Sequence, residues 1–125
     1  MKLEKRNAIK FYKPHQYTTI QPGSSGRVYY MKVPESCVAF IERIGNNYFD
    51  NTYYKVYIDG ELMESNVIER QIAPINQPLV LVEPILVKNY IEVIGYNNDT
   101  SSHIMEFLID GTIYHLEDTN DWKNI

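Results

Sequence analysis

Two glutamates, Glu42 and Glu92, occupy the same place in two copies of one stretch of sequence. The first copy reads Phe40-Ile41-Glu42-Arg43-Ile44-Gly45-Asn46-Asn47. Fifty positions on, Tyr90-Ile91-Glu92-Val93-Ile94-Gly95-Tyr96-Asn97-Asn98 answers it. Two carboxylates on neighbouring strands have the chemistry for glycosidic acid–base work. A plainer reading takes each glutamate as the solvent-facing polar position of a unit that is used twice, and this reading is the expectation. Both copies run into oxygen-rich loops. Asn46, Asn47, Tyr48, Phe49 and Asp50 form one, and Asn97, Asn98 and Asp99 lie in the other. Calcium takes about six to eight oxygens, often from such side chains, and a sugar could rest on Tyr48 or Phe49. Asn and Asp also tolerate left-handed backbone and close local turns. The turn role comes first, and the loops are kept as candidate contacts.

The remaining reactive residue types form no constellation. His15, His103 and His115 are scattered, without the short spacings of metal sites. Ser24-Ser25 sits in a Gly-flanked turn with no base in view, and no nucleotide-binding or hydrolase motif occurs. The single cysteine, Cys37, excludes an internal disulfide and lies in the apolar run Cys37-Val38-Ala39-Phe40, as a buried inert thiol would. No metal, no cofactor and no catalytic residue is therefore expected, and the chain reads as a non-enzyme.

The elements that carry these residues read as strands. Eleven tyrosines favour pleated surfaces, while alanine occurs only at Ala8, Ala39 and Ala73. Strands are predicted at His15–Ile20, Arg27–Val33, Cys37–Ile44, Thr52–Ile58, Val67–Ala73, Leu79–Val82, Ile85–Val87 and Asn89–Tyr96. Gln21 to Gly26 is a turn cluster, and Pro84 marks an edge, a bulge or a bend. Asp59-Gly60 reads as a hairpin turn. Asp110-Gly111 reads as another, joining Met105–Ile109 to Thr112–Leu116.

The repeat continues through these elements. Val33-Pro34 matches Glu83-Pro84, and Val56 to Gly60 matches Phe107 to Gly111 one position further out of step. A unit used twice points to an all-β, jelly-roll-like antiparallel sandwich with a pseudo-twofold internal repeat. Its core would bring together Phe40, Ile44, Tyr90 and Ile94. An immunoglobulin-like sandwich is the structural alternative.

Charge divides the chain. The net charge is −4, yet Lys2, Lys5, Arg6, Lys10 and Lys13 against Glu4 give residues 1–13 a charge of +4, which leaves −8 for the rest. Residues 1–14 read as an extended basic arm that carries a short edge strand at Ile9–Tyr12, 15–118 as the sandwich and 119–125 as a tail with Trp122 as a further contact. A basic arm on an acidic body lets identical copies bind head to tail. The acidic body argues against nucleic acid as partner. No run approaches the length of a membrane helix, and the N-terminus shows no apolar signal region.

One resemblance follows from several segments taken together. They are Val33-Pro34 with Val38-Ala39-Phe40-Ile41-Glu42-Arg43-Ile44; Tyr48-Phe49-Asp50-Asn51-Thr52-Tyr53-Tyr54 leading into Ile58-Asp59-Gly60; Ile72-Ala73-Pro74-Ile75-Asn76-Gln77-Pro78; and Tyr96-Asn97-Asn98-Asp99-Thr100. In these the chain resembles small β-sandwich structural proteins of tailed bacteriophage virions. The resemblance implies a virion component that decorates a capsid or connects head and tail, assembled in the host cytoplasm and not secreted. Its partners would be copies of itself and other virion proteins. A carbohydrate-binding module that recognises a host surface glycan through the two loops is the alternative.

Overall fold

The computed structural model describes residues 8–116, apart from the side chains of 63–66. These residues form nine strands: β1 (Ala8–Lys10), β2 (His15–Ile20), β3 (Ser24–Lys32), β4 (Cys37–Asn46), β5 (Thr52–Ile58), β6 (Glu61–Ile68), β7 (Leu79–Val87), β8 (Tyr90–Asn97) and β9 (His103–His115). One sheet runs β1-β9-β4-β7, with β2 beside β1 on the same flank of β9. The other runs β3-β8-β5-β6. All pairings are antiparallel.

The pairs β2·β9, β3·β8, β4·β7 and β5·β6 are nested, and successive pairs alternate between the sheets. A long hairpin rolled up in this way is a jelly roll. An immunoglobulin sandwich pairs its first two strands with each other. Here consecutive strands pair only at β5·β6 among the described residues, so that alternative is set aside. Shifting every label by four places around the cycle β2 to β9 converts β2-β9-β4-β7 into β6-β5-β8-β3, which is the second sheet read backwards. This operation carries β4 onto β8 and β5 onto β9, the same strands that the sequence repeat relates.

The core is built from the opposite phase of the repeated strands to the one expected. Ala39 and Ile41 of β4 and Ile91 and Val93 of β8 are buried between the sheets. Phe40, Tyr90 and Ile94 are half-buried and lie outside that cluster, while Ile44 packs against it. Side chains alternate with period two, so a strand apolar in both phases leaves the choice to its neighbours. Phe40 shares a phase with Glu42, and Tyr90 with Glu92, and that phase faces outward. Two buried tyrosines carry polar ends into the interior. Tyr29 donates to the Ile109 carbonyl at 3.1 Å, and Tyr54 reaches Asn47 and Glu106. Burial pushes both phenols well above the ordinary tyrosine range.

The second Asp-Gly is not a turn. Strand β9 runs unbroken from His103 to His115 through Asp110 and Gly111. Gly111 is needed because the backbone of β4 comes so close that a Cβ on Gly111 would lie 1.9 Å from the Phe40 carbonyl oxygen. The first Asp-Gly is a true hairpin turn, with φ of 55° at Asp59 and 85° at Gly60. Further boundaries differ from expectation, and β3 already begins at Ser24, inside the expected turn cluster. The strand expected at Val67–Ala73 ends at Ile68 and begins at Glu61. Leu79–Val82 and Ile85–Val87 form one strand, bulged so that four residues of β7 lie opposite Glu42 alone. Pro84 falls in that bulge, on an edge strand.

Part of the N-terminal arm belongs to the sandwich. Ala8 to Lys10 pair with Thr112 to Tyr114, and Phe11 is buried in the core with its N–H donating to the Gly111 carbonyl. Residues 8–20 thus act as one long edge strand that Pro14 interrupts, where a missing N–H costs no ladder bond. The gap between β2 and β3 is laced by side chains. Gln16 exchanges hydrogen bonds with both backbone groups of Tyr30, and Thr18 donates to the Arg27 carbonyl.

Candidate functional site

The two Asn-rich loops meet at one end of the sandwich, where the Asn98 N–H donates to the Asn51 carbonyl at 2.8 Å. Asn46 and Asn97, candidate contacts by sequence, are fully buried. The Asn46 amide donates to the carbonyls of Arg70 and Asn47 and accepts from the Ile72 N–H. The Asn97 amide donates to the carbonyls of Ile20 and Ser101 and accepts from the Asp99 N–H. Each therefore grips the carbonyl at or just past the end of a pseudo-equivalent strand, β6 for Asn46 and β2 for Asn97. Their polar atoms are spent inside the fold, which removes both from any contact surface.

Asn47 is similarly occupied. Its side-chain Oδ1 accepts from the Glu106 N–H at 2.8 Å and the Tyr54 hydroxyl at 2.5 Å, and its side-chain NH₂ donates to the Ile104 carbonyl. Asp99 holds His103 at 2.7 Å and the Thr100 N–H at 2.8 Å. The hydrogen bond from His103, followed by that from Thr100, holds its carboxyl below the usual aspartate range. Phe49 stacks on His103 at 4.0 Å. His103, which the sequence offered only as an isolated imidazole, is thus a second link between the two loops beside the Asn98–Asn51 hydrogen bond. Asp50 and Asn98 are exposed, and Tyr48 is half-buried beside a shallow recess with Asn51, Tyr53 and Glu69. Among the described residues, no three His, Cys, Asp or Glu side chains gather at metal-holding distance.

Glu42 and Glu92 lie in different sheets and do not form a pair. Glu42 accepts from Thr112 at 2.6 Å and faces Lys10 at 3.3 Å. The Thr112 hydrogen bond, then Lys10, lowers its carboxyl below the usual range. Glu92 is bound by Arg27 at 2.7 Å. Both are anchors of outer-face ion pairs, as the plainer reading had it.

Of the basic arm, Lys10 is engaged with its own chain's Glu42 and Thr112, and Lys13 is exposed. Lys2, Lys5, Arg6 and the tail residue Trp122 lie outside the described residues.

An apolar edge, absent from the sequence-based candidates, gathers four exposed aliphatic side chains on one strand. Strand β7 pairs only with β4, so its far edge is open among the described residues. Leu79 is 47% exposed, Val80 66%, Val82 99% and Ile85 37%. Glu83 is the one charge on the strand. Behind this edge a crevice of about 120 Å³ enters the sandwich, lined by Ile41, Ile44, Ile68, Ile72 and Phe107 among others. The run Leu79-Val80-Leu81-Val82 could have signalled it, but an unalternating apolar run reads equally well as a buried central strand.

No protein-family model matches this chain, and no curated protein sequence matches it.

Proposed function

We propose that this protein is a non-enzymatic structural or accessory subunit of a virion, assembling with copies of itself and docking on neighbouring structural proteins. The observation that carries the reading is the open apolar edge of β7. Edge strands that must stay single are usually shielded by lysine, proline or bulges. Here the bulge from Leu81 to Pro84 blunts only the middle of the strand, Leu79 and Val80 before it offer unpaired backbone with exposed aliphatic side chains, and Val82 adds one more from the bulge itself. A second copy that adds its own β7 edge would join the five-stranded sheet of one copy to that of the next. The resemblance of residues Val33 to Gly111 to tailed-phage sandwich proteins supports the virion setting, as does the jelly-roll order.

The magnitude sets a requirement. A nine-residue strand is about 30 Å long, too little by itself for the roughly 800 Å² per partner of a stable interface. The partner must also cover surface beside β7. The test is the mass of the full chain in solution at micromolar concentration, by light scattering or mass photometry. A discrete oligomer is expected, and the double substitution Val80→Lys with Val82→Lys converts it to monomer without loss of far-ultraviolet circular dichroism. A wild-type chain that stays monomeric, or a double variant that still assembles, overturns the proposal.

A further inference from the structure

The sandwich is laced shut on one flank and open on the other. The four-place shift that relates the two sheets carries the β6–β7 flank onto the β2–β3 flank. At β2–β3 the side chains of Gln16 and Thr18 bond to the backbone of β3 and close the gap. Among the described residues no such bond joins β6 to β7. Both of these strands are bulged instead, with four residues of β6 opposite Val56 and four of β7 opposite Glu42. The crevice of about 120 Å³ opens between them. From this crevice we infer a binding site for a short aliphatic carboxylate, a straight-chain acid of about four to six carbons.

The lining selects the ligand. Ile41, Ile44 and Ile85 come from one sheet and Val56 and Ile68 from the other, and the buried Phe107 ring shares the wall. An apolar cavity of this kind stays dry, and about 150 Å³ suffices to hold benzene. A slightly shorter chain of methylenes therefore matches the space. One charged group stands in the lining, Arg70. Its side chain is exposed and has no hydrogen-bond or ion-pair partner among the described residues. The adjacent Glu69 lines the separate recess beside Tyr48 and Tyr53. An apolar slot with a single cation at its rim suits an alkyl tail that ends in an anion. The planar guanidinium matches a carboxylate through two parallel hydrogen bonds.

The rim is built before any ligand arrives. Buried Asn46 holds the segment that carries Arg70. Its side-chain NH₂ donates to the Arg70 carbonyl at 3.0 Å, its Oδ1 accepts from the Ile72 N–H at 2.8 Å, and its backbone N–H donates to the Ala73 carbonyl at 3.0 Å. Gly45 lets the same segment lie against β4, since a Cβ there would come within 3.0 Å of the Pro74 carbonyl oxygen. The guanidinium thus hangs from fixed backbone, and such pre-organisation lowers the cost of ordering the site on binding.

The experiment titrates the full chain, labelled at its isoleucine δ-methyl groups, with hexanoate to about 10 mM and follows it by NMR. The methyls of Ile41, Ile44, Ile72 and Ile85 are expected to shift, while those of Ile20 on the laced flank and the exposed Ile104 stay still. From butanoate to hexanoate the affinity should rise about fourfold per methylene, then level off in longer acids because the slot is full. Hexanoate should bind about two- to fivefold more tightly than hexanamide. Arg70→Gln should abolish that preference and leave hexanamide binding and the fold intact, since Arg70 is exposed. Crevice methyls that do not move refute the assignment. So does affinity that climbs evenly through dodecanoate, which marks surface adsorption, or an Arg70→Gln variant that still prefers the acid. Arg70 lies outside β7, so its substitution leaves the native mass unchanged, and loss of this site and loss of assembly are separate results.

Discussion

The two Asp-Gly pairs should respond differently to the same substitution. Gly111→Ala places a methyl group 1.9 Å from the Phe40 carbonyl oxygen, 2.9 Å from the Phe40 carbonyl carbon and 3.0 Å from the Phe11 ring. An ordinary C···O contact is about 3.3 Å or more, so β4 and β9 must part by more than an ångström at their shared centre. Overpacking of this kind costs about 1–3 kcal/mol. Loss of one or two ladder hydrogen bonds adds about 1 kcal/mol each. The expected destabilisation is therefore about 2–5 kcal/mol, a large share of the roughly 5–15 kcal/mol that holds such a domain together. Gly60→Ala meets only the Tyr90 hydroxyl at 3.1 Å and the strain of positive φ, which costs about 1–2 kcal/mol. Urea unfolding followed by circular dichroism, with midpoint and slope fitted for both variants, measures the difference. If Gly111→Ala costs no more than Gly60→Ala, the reading of Gly111 as a contact-forced glycine within a continuous strand is wrong.

Two other outcomes follow from the site geometry. Asn46→Ala and Asn97→Ala should each cost about 1–3 kcal/mol, because each leaves backbone groups without partners, whereas exposed Asn98→Ala should stay within about 0.5 kcal/mol of wild type; equal effects in urea unfolding would contradict the burial-based account. The carboxyl of Glu42 is held below its ordinary value, so its contribution is present above about pH 4.3 and is lost as pH falls through the lower folded value. With its side chain 38% exposed, the effect is a few tenths of a kcal/mol, and the urea midpoint of Glu42→Gln should fall less steeply than that of wild type between pH 5 and pH 3.

The loop chemistry illustrates why a residue's type does not reveal its employment. Asn46, Asn47 and Asp99 look like ligand donors in the sequence, and all three spend their oxygens on the protein's own N–H and O–H groups. The partners come from segments that are distant along the chain, such as Ile72 for Asn46 and Glu106 for Asn47. The apolar edge of β7 was hidden for a related reason. Whether Leu79 to Val82 sit in the middle of a sheet or on its margin depends on strand order, which local composition does not encode.

Local patterning was legible wherever the physics is local. The scarcity of helix formers, the turn residues at Gly23 and Asp59-Gly60, the edge-strand bulge at Pro84 and the duplicated strands could all be read from the chain, and the duplication named the strands that the pseudo-twofold exchanges. Glu42 and Glu92 even marked the outward phase, had a charge been weighed above the bulk of Phe40 and Tyr90. Tertiary structure alone decided that the second Asp-Gly runs straight, that Phe11 of the basic arm enters the core, and which edge stays bare. Each of these depends on how closely two remote backbones approach, and that distance exists only once the sheet is assembled.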